Sequence, residues 1–169
     1  LLVNAFDHSK RQKKKFLDGD SSVLQVSTIR VDIQSDHISV WNDGDGIDIE
    51  LLPEHNVYPP ELIFGKLLTS TNYDDNDQRE WGGRNGYGAK LANIYSLEFD
   101  VEIVDKERCK KFKQTFTNNM DNKTKAKVTN LTNPKSGYTQ ITFKPDLKRF
   151  GLTELTDDIV NLMIKRVYD

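Results

Sequence analysis

Gly82-Gly83-Arg84-Asn85-Gly86-Tyr87-Gly88-Ala89-Lys90 constrains this chain most, because four glycines in seven positions suit neither a helix nor a strand interior. Such a run allows a loop that turns sharply and offers bare N–H groups to a ligand. Directly after it, Leu91, Ile94 and Tyr95 recur at helical spacing, so the loop feeds a helix start. A helix start carries unpaired N–H donors and about half a positive charge, which together suit a phosphate. Arg84 and Lys90 put a cation at either end. The stretch reads as a phosphate cradle, although glycines alone are equally compatible with a flexible loop that binds nothing.

Two familiar phosphate motifs are excluded. A Walker loop places Lys and then Ser or Thr directly after its last glycine, but Gly88 is followed by Ala89, Lys90 and Leu91. The dinucleotide pattern fails as well, since Gly86-x-Gly88 meets Leu91 where the third glycine belongs.

A length of 169 residues suits one domain with its own core. Charged residues are 30% and hydrophobic ones 36%, and no apolar run approaches a membrane span. Lys plus Arg (24) against Asp plus Glu (26) gives a net charge of −2, so bulk charge does not advertise nucleic acid. Cys109 stands alone in the chain, which excludes an internal disulfide and agrees with a reducing compartment; it reads as a structural thiol.

Leu1 to Phe6 has no cap or polar lead and reads as the interior of a helix, as if the chain were cut from something longer. Ser9 to Lys15 is expected to be a solvated basic loop rather than a nucleic-acid contact. Ile29, Val31 and Ile33 alternate with polar residues as a half-buried strand does, and 38–41 is a second strand after a turn at Asp36-His37. That strand runs into Asn42-Asp43-Gly44-Asp45-Gly46-Ile47, a tight turn whose polar side chains could also read a ligand edge. A helix over 61–68 leads to the long acidic segment 69–78, a candidate lid. Strands are expected at 97–104, 110–117, 124–131 and 138–144. A last helix from about Leu155 to Val167 places Leu155, Ile159, Leu162, Met163 and Val167 on one face, expected to be core. This order argues for an α/β two-layer sandwich, a mixed and mainly antiparallel sheet with helices on one face.

Four segments ask for one explanation: the asparagine of the opening helix, the strand-end turn, the hydroxyl-rich loop and the glycine cradle. Together they resemble the GHKL ATPase fold of type II topoisomerases, heat-shock chaperones, MutL proteins and histidine kinases. Leu2-Val3-Asn4-Ala5, Leu67 to Asp75 and Gly82 to Lys90 resemble most closely the ATPase domain of eukaryotic-type topoisomerase II. The resemblance extends through 112–116, 141–147, 158–160 and 166–169, and so over a single ATP-binding domain of 1–169.

The resemblance implies ATP and Mg²⁺ as cofactors, with Asn4 on the metal. It puts Asn42 on the adenine amino group, with Thr139 assisting, and makes Ile47, Ile63, Phe64 and Ile141 the walls of the base pocket. Ser70, Thr71 and Asn72 would meet ribose or phosphate oxygens. Gly83, Arg84, Asn85, Gly86, Tyr87, Gly88, Ala89 and Lys90 would wrap the β- and γ-phosphates. His8 and Asp43 stand where the family usually has asparagine, so their contacts are the least defined. The family's general base is a glutamate four residues before Asn4, which places it just ahead of Leu1. The dimer strap and transducer domain of the family are missing from the chain as well. For the full enzyme the resemblance implies ATP-driven closure of a homodimeric gate, DNA strand passage and a nuclear location. Another GHKL ATPase, or a nucleotide-binding module without hydrolysis, stands as the alternative.

Overall fold

The structure is a computed structural model that describes residues 1–53, 56–66 and 87–169. Its elements are helix α1 (Leu2–Leu17), strands β1 (Ile29–Ile33) and β2 (Ile38–Gly44), helices α2 (Pro59–Gly65) and α3 (Gly88–Ile94), then strands β3 (Ser96–Asp105), β4 (Lys110–Thr117), β5 (Asn122–Lys123), β6 (Lys127–Asn130) and β7 (Gly137–Pro145). A 3-10 turn (Leu147–Phe150) and helix α4 (Asp157–Tyr168) follow. The strands form one sheet in the order β1-β2-β7-β3-β4-β5, with β6 also on β4, and every pairing among the described residues is antiparallel. No helix among them is long and apolar enough to cross a membrane.

Alternation fixes which side of the sheet is covered. Directly opposed residues of an antiparallel pair share a face. Val40, Ile141 and Val101 therefore make one row, and Ile38, Phe143, Phe99 and Phe116 the next. Phe64 of α2 and Ala89 of α3 close over these rows to form the core. Phe99 lies at its centre with 0% exposure, 6.1 to 6.4 Å from the rings of Phe64, Phe116 and Phe143. The two-layer sandwich with helices on one face is as the residue pattern requires.

The opposite face of the sheet is polar and held by charge. Glu102 accepts from Lys111 at 2.6 Å, from Lys113 at 2.5 Å and from the Tyr138 hydroxyl. Burial favours the neutral acid, but these donors prevail and pull the Glu102 pKa from 4.5 down to about 2. A carboxyl group more acidic when folded stabilises the fold above its unfolded pKa, and that contribution disappears as pH falls from 4.5 towards 2. Over that window Glu102 is expected to account for about 1–2 kcal/mol of lost stability, since solvent screens part of its interaction with the two lysines. In urea unfolding at a series of pH values, Glu102→Gln should flatten the profile there; an unchanged slope would refute the assignment.

Two sequence expectations change. The basic run 10–15 is not a loop: α1 continues without a break to Leu17. Its residues are good helix formers, and Ala5 and Gln12 are buried beneath them. Helix α4 exists, but it is not core, for none of its residues is buried and Leu162 is 58% exposed. Spacing defines an apolar stripe without saying what covers it.

Candidate functional site

Asn4 and His8 lie one helical turn apart on α1, and His8 reaches the turn that ends β2. Gly44 has φ +112°, and a Cβ built on it would stand 2.9 Å from Val26 Cγ2 and 3.6 Å from His8 Nε2. That nitrogen is shielded from solvent and has no hydrogen-bond partner among the described residues. Burial lowers the His8 pKa, Arg11 and Lys15 add to the effect, and Asp45 opposes it. A neutral imidazole with an unsatisfied nitrogen therefore sits against the strand-end turn.

Strand β2 runs on through Asn42, Asp43 and Gly44, which were expected in the turn, and two aspartates hold this end, Asp43 inside the strand and Asp45 just past it. Asp43 Oδ1 accepts from the Ser27 and Thr28 backbone amides at 2.8 and 2.9 Å, and Ser27 Oγ donates to its other oxygen. Burial works against the ionised form of Asp43, yet these donors outweigh it and lower the pKa. Asp45 Oδ1 accepts from Leu24 N at 2.8 Å. Asp43, expected near the nucleotide, thus has its carboxylate committed to the segment that leads into β1. Gly46 has φ +83°, and its position leaves no room for a side chain, since a Cβ would meet the Val104 carbonyl oxygen at 2.2 Å.

Asn42 is 4% exposed, and its Nδ2 donates to the Asp43 carbonyl at 2.8 Å. Its Oδ1 is left as the acceptor, which suits a donor such as an exocyclic amino group. Thr139 lies directly opposite on β7, so the two polar residues share the helix-covered face beside Val40 and Ile141. Phe64 and Ile141 are in the core and Ile47 packs against it, whereas Ile63 is 37% exposed and outside that cluster.

On the far side, Tyr87 is the N-cap residue of α3 and Gly88 its first residue. Ala89 and Lys90 are buried, and burial lowers the Lys90 pKa. Asn93 Nδ2 donates to the Phe64 carbonyl at 2.9 Å and so fastens α3 to α2. Ser70, Thr71, Asn72, Gly83, Arg84, Asn85 and Gly86 lie outside the described residues. No group of three or more His, Cys, Asp or Glu side chains among the described residues could hold a metal. Asn4 offers one exposed amide oxygen, a donor set that fits a hard cation held chiefly by phosphate oxygens and water.

One supporting residue escaped the sequence reading. Asp105, 2% exposed at the end of β3, accepts from Ile49 N at 2.8 Å and from Arg108 N at 3.0 Å. Arg108 reaches on to Asp48 and Glu50, so the segment after Gly46 is tied to the β3–β4 turn. The Asp105-x-x-Arg108 spacing marks a local pair, but nothing in it points back to Ile49.

No protein-family model matches the chain. The DNA topoisomerase 2 of Acanthamoeba polyphaga mimivirus is 50% identical over 100% of the chain, which spans 12% of that protein. The solved ATPase and transducer domains of DNA topoisomerase II from Balamuthia mandrillaris superpose with a TM-score of 0.85 at 44% identity, over 98% of this chain and 41% of that one. This chain belongs to the topoisomerase II ATPase regions. The ATPase region of Saccharomyces cerevisiae topoisomerase II agrees, with a TM-score of 0.82 and 43% identity over 99% of this chain and 43% of that one. The chain spans only 10–12% of the length of the curated topoisomerases it matches. In this topoisomerase II ATPase fold, α1, the β2 turn and the Asn42–Thr139 pair meet on one side of the sheet.

Proposed function

We propose that this chain is the ATP-binding and ATP-hydrolysing unit of a type II DNA topoisomerase, and that its nucleotide closes a homodimeric gate during DNA strand passage in the nucleus. The observation that carries the reading is the seating of His8 on the Gly44 turn beside an Asn42 whose Oδ1 is open. Asn42 Oδ1 accepts from the adenine amino group while Thr139 stands next to it, with Ile47, Ile63, Phe64 and Ile141 around the base. His8 Nε2 finds in the nucleotide the partner it lacks. Lys90 and the glycine stretch before it hold the phosphates, Ser70, Thr71 and Asn72 contribute from the preceding segment, and Asn4 helps to hold Mg²⁺. When bound, Mg²⁺ neutralises charge on the triphosphate. The protein's own part is to place cations and backbone N–H groups where that charge lies and to exclude water around them.

Isothermal titration with ATP and with adenosine tests this. Lys90→Ala should weaken ATP binding by about 1.5–3 kcal/mol, the usual worth of a hydrogen bond to a charged group, and leave adenosine binding unchanged. Because Lys90 is buried, Lys90→Met serves as a second variant that keeps the apolar stem. Asn42→Ala should weaken ATP and adenosine alike. If the lysine variants lose both ligands equally, the phosphate assignment is wrong.

A further inference from the structure

Helix α1 carries Lys10, Arg11, Lys13, Lys14 and Lys15, five cations in six consecutive residues and all of them exposed. None of the five has an ion-pair partner among the described residues; Lys10 instead lies over the Phe6 ring at 5.1 Å. Elsewhere Lys111 and Lys113 pair with Glu102, Lys144 with Glu98 and Arg149 with Asp146, while Lys123, Lys125 and Lys127 at the β5–β6 edge are exposed and more widely spaced along the chain than the five of α1. The net charge of −2 makes this patch a local feature rather than a property of the whole chain.

Being helical changes what the run can do. Ala5 and Gln12 are buried on one side of α1, and helical spacing puts Lys10 and Lys14 opposite them, with Arg11 and Lys13 flanking and Lys15 nearer the buried side; Asp7, also buried, lies one turn before Lys10 and Arg11. A loop would have to order these side chains on binding, whereas the helix presents them from fixed positions. Five cations within roughly 8 Å of axis face duplex DNA, which carries one charge per about 1.7 Å. A lipid surface would require a broad apolar face, but the exposed Val3 and Phe6 stand beside the lysines rather than apart from them.

We propose that the exposed basic stretch of α1 carrying Lys10, Lys13 and Lys14, beyond the buried Asp7, docks the phosphate backbone of duplex DNA. The choice of DNA among polyanions rests on the topoisomerase reading above; the charge complementarity does not. Contacts of this kind position a duplex without reading its sequence, and they weaken steeply with salt.

The test is fluorescence anisotropy of a labelled duplex of about 30 base pairs with the purified chain, in NaCl from about 50 to about 200 mM. The triple variant K10E/K13E/K14E should bind about tenfold more weakly or worse, and its slope of log affinity against log salt should be shallower by about 3. The triple variant K123E/K125E/K127E, exposed at the β5–β6 edge, should keep the original slope. ATP titration and circular dichroism run on every sample separate the two readings: the α1 variant should keep its fold and its ATP affinity. Loss of ATP binding by the unaltered chain would sink the nucleotide assignment and leave the DNA result standing. An unchanged salt slope in the α1 variant would overturn the docking surface. So would an equal loss in the β5–β6 variant, or tighter binding to phosphatidylserine vesicles than to the duplex.

Discussion

Phe99→Ala lowers the unfolding free energy by about 3–5 kcal/mol, the range for emptying a fully buried aromatic site. Phe99 is 0% exposed on β3, between β7 and β4, so no solvent-facing relaxation can fill the space its ring leaves. Its ring meets Phe64, Phe116 and Phe143, which belong to α2, β4 and β7. The cavity therefore opens directly beneath α2, and nucleotide affinity should fall along with stability. Guanidinium unfolding with the m-value held in view measures the first, and ATP titration the second. Phe99→Leu, which refills most of the volume, should cost about half as much or less. A loss below about 1 kcal/mol for the alanine variant would mean that the four rings do not form one packed unit.

Gly46→Ala should cost about 3 kcal/mol or more, with backbone strain alone accounting for about 1–3 kcal/mol. The added Cβ would lie 2.2 Å from the Val104 carbonyl oxygen, a backbone atom that cannot rotate away. Val104 must then move, and with it Asp105, which holds Ile49 N. The displacement would run from the β2 turn into the wall of the base site, so ATP affinity should drop at least about tenfold. Gly19→Ala is the natural control: its φ is +102° but no atom stands within 4 Å of the new Cβ, so only the strain remains. Equal destabilisation by the two variants would show that the Val104 contact contributes nothing.

The glycine-marked end of β2 and several strands were legible in the chain because their constraints are local. Glycines at 44 and 46 announce a turn at the end of an alternating strand, and the structure gives both positive φ values. The Asn118-Asn119 turn signal likewise falls on left-handed residues, with φ of 55° and 59°. The strands at 97–104, 110–117 and 138–144 follow from alternation and appear as β3, β4 and β7 within a residue or so at each end. The longer expectation at 124–131 shrinks to β6 at Lys127–Asn130, an outer strand whose one partner among the described residues is β4.

Alternation, glycine placement and the long motifs that resemble the topoisomerase ATPase regions are properties of neighbours along the chain, and the sequence determined them by itself. Tertiary structure decided whatever depended on a distant partner. Strand β7 enters between β2 and β3, and only that insertion sets Thr139 opposite Asn42. The motif around Asp43 does not show that the amides of Ser27 and Thr28, brought near by the β1–β2 pairing, donate to its carboxylate. The basic run continues a helix whose residues Ala5, Asp7 and Gln12 are buried, and α4 stays exposed because no described element covers its stripe. Local conformational preference amounts to a few tenths of a kcal/mol per residue, whereas burial and paired hydrogen bonds are worth one to several, about 1–3 kcal/mol each. Where the two pull in different directions, the distant partner wins, and its identity is not encoded in the residues beside it.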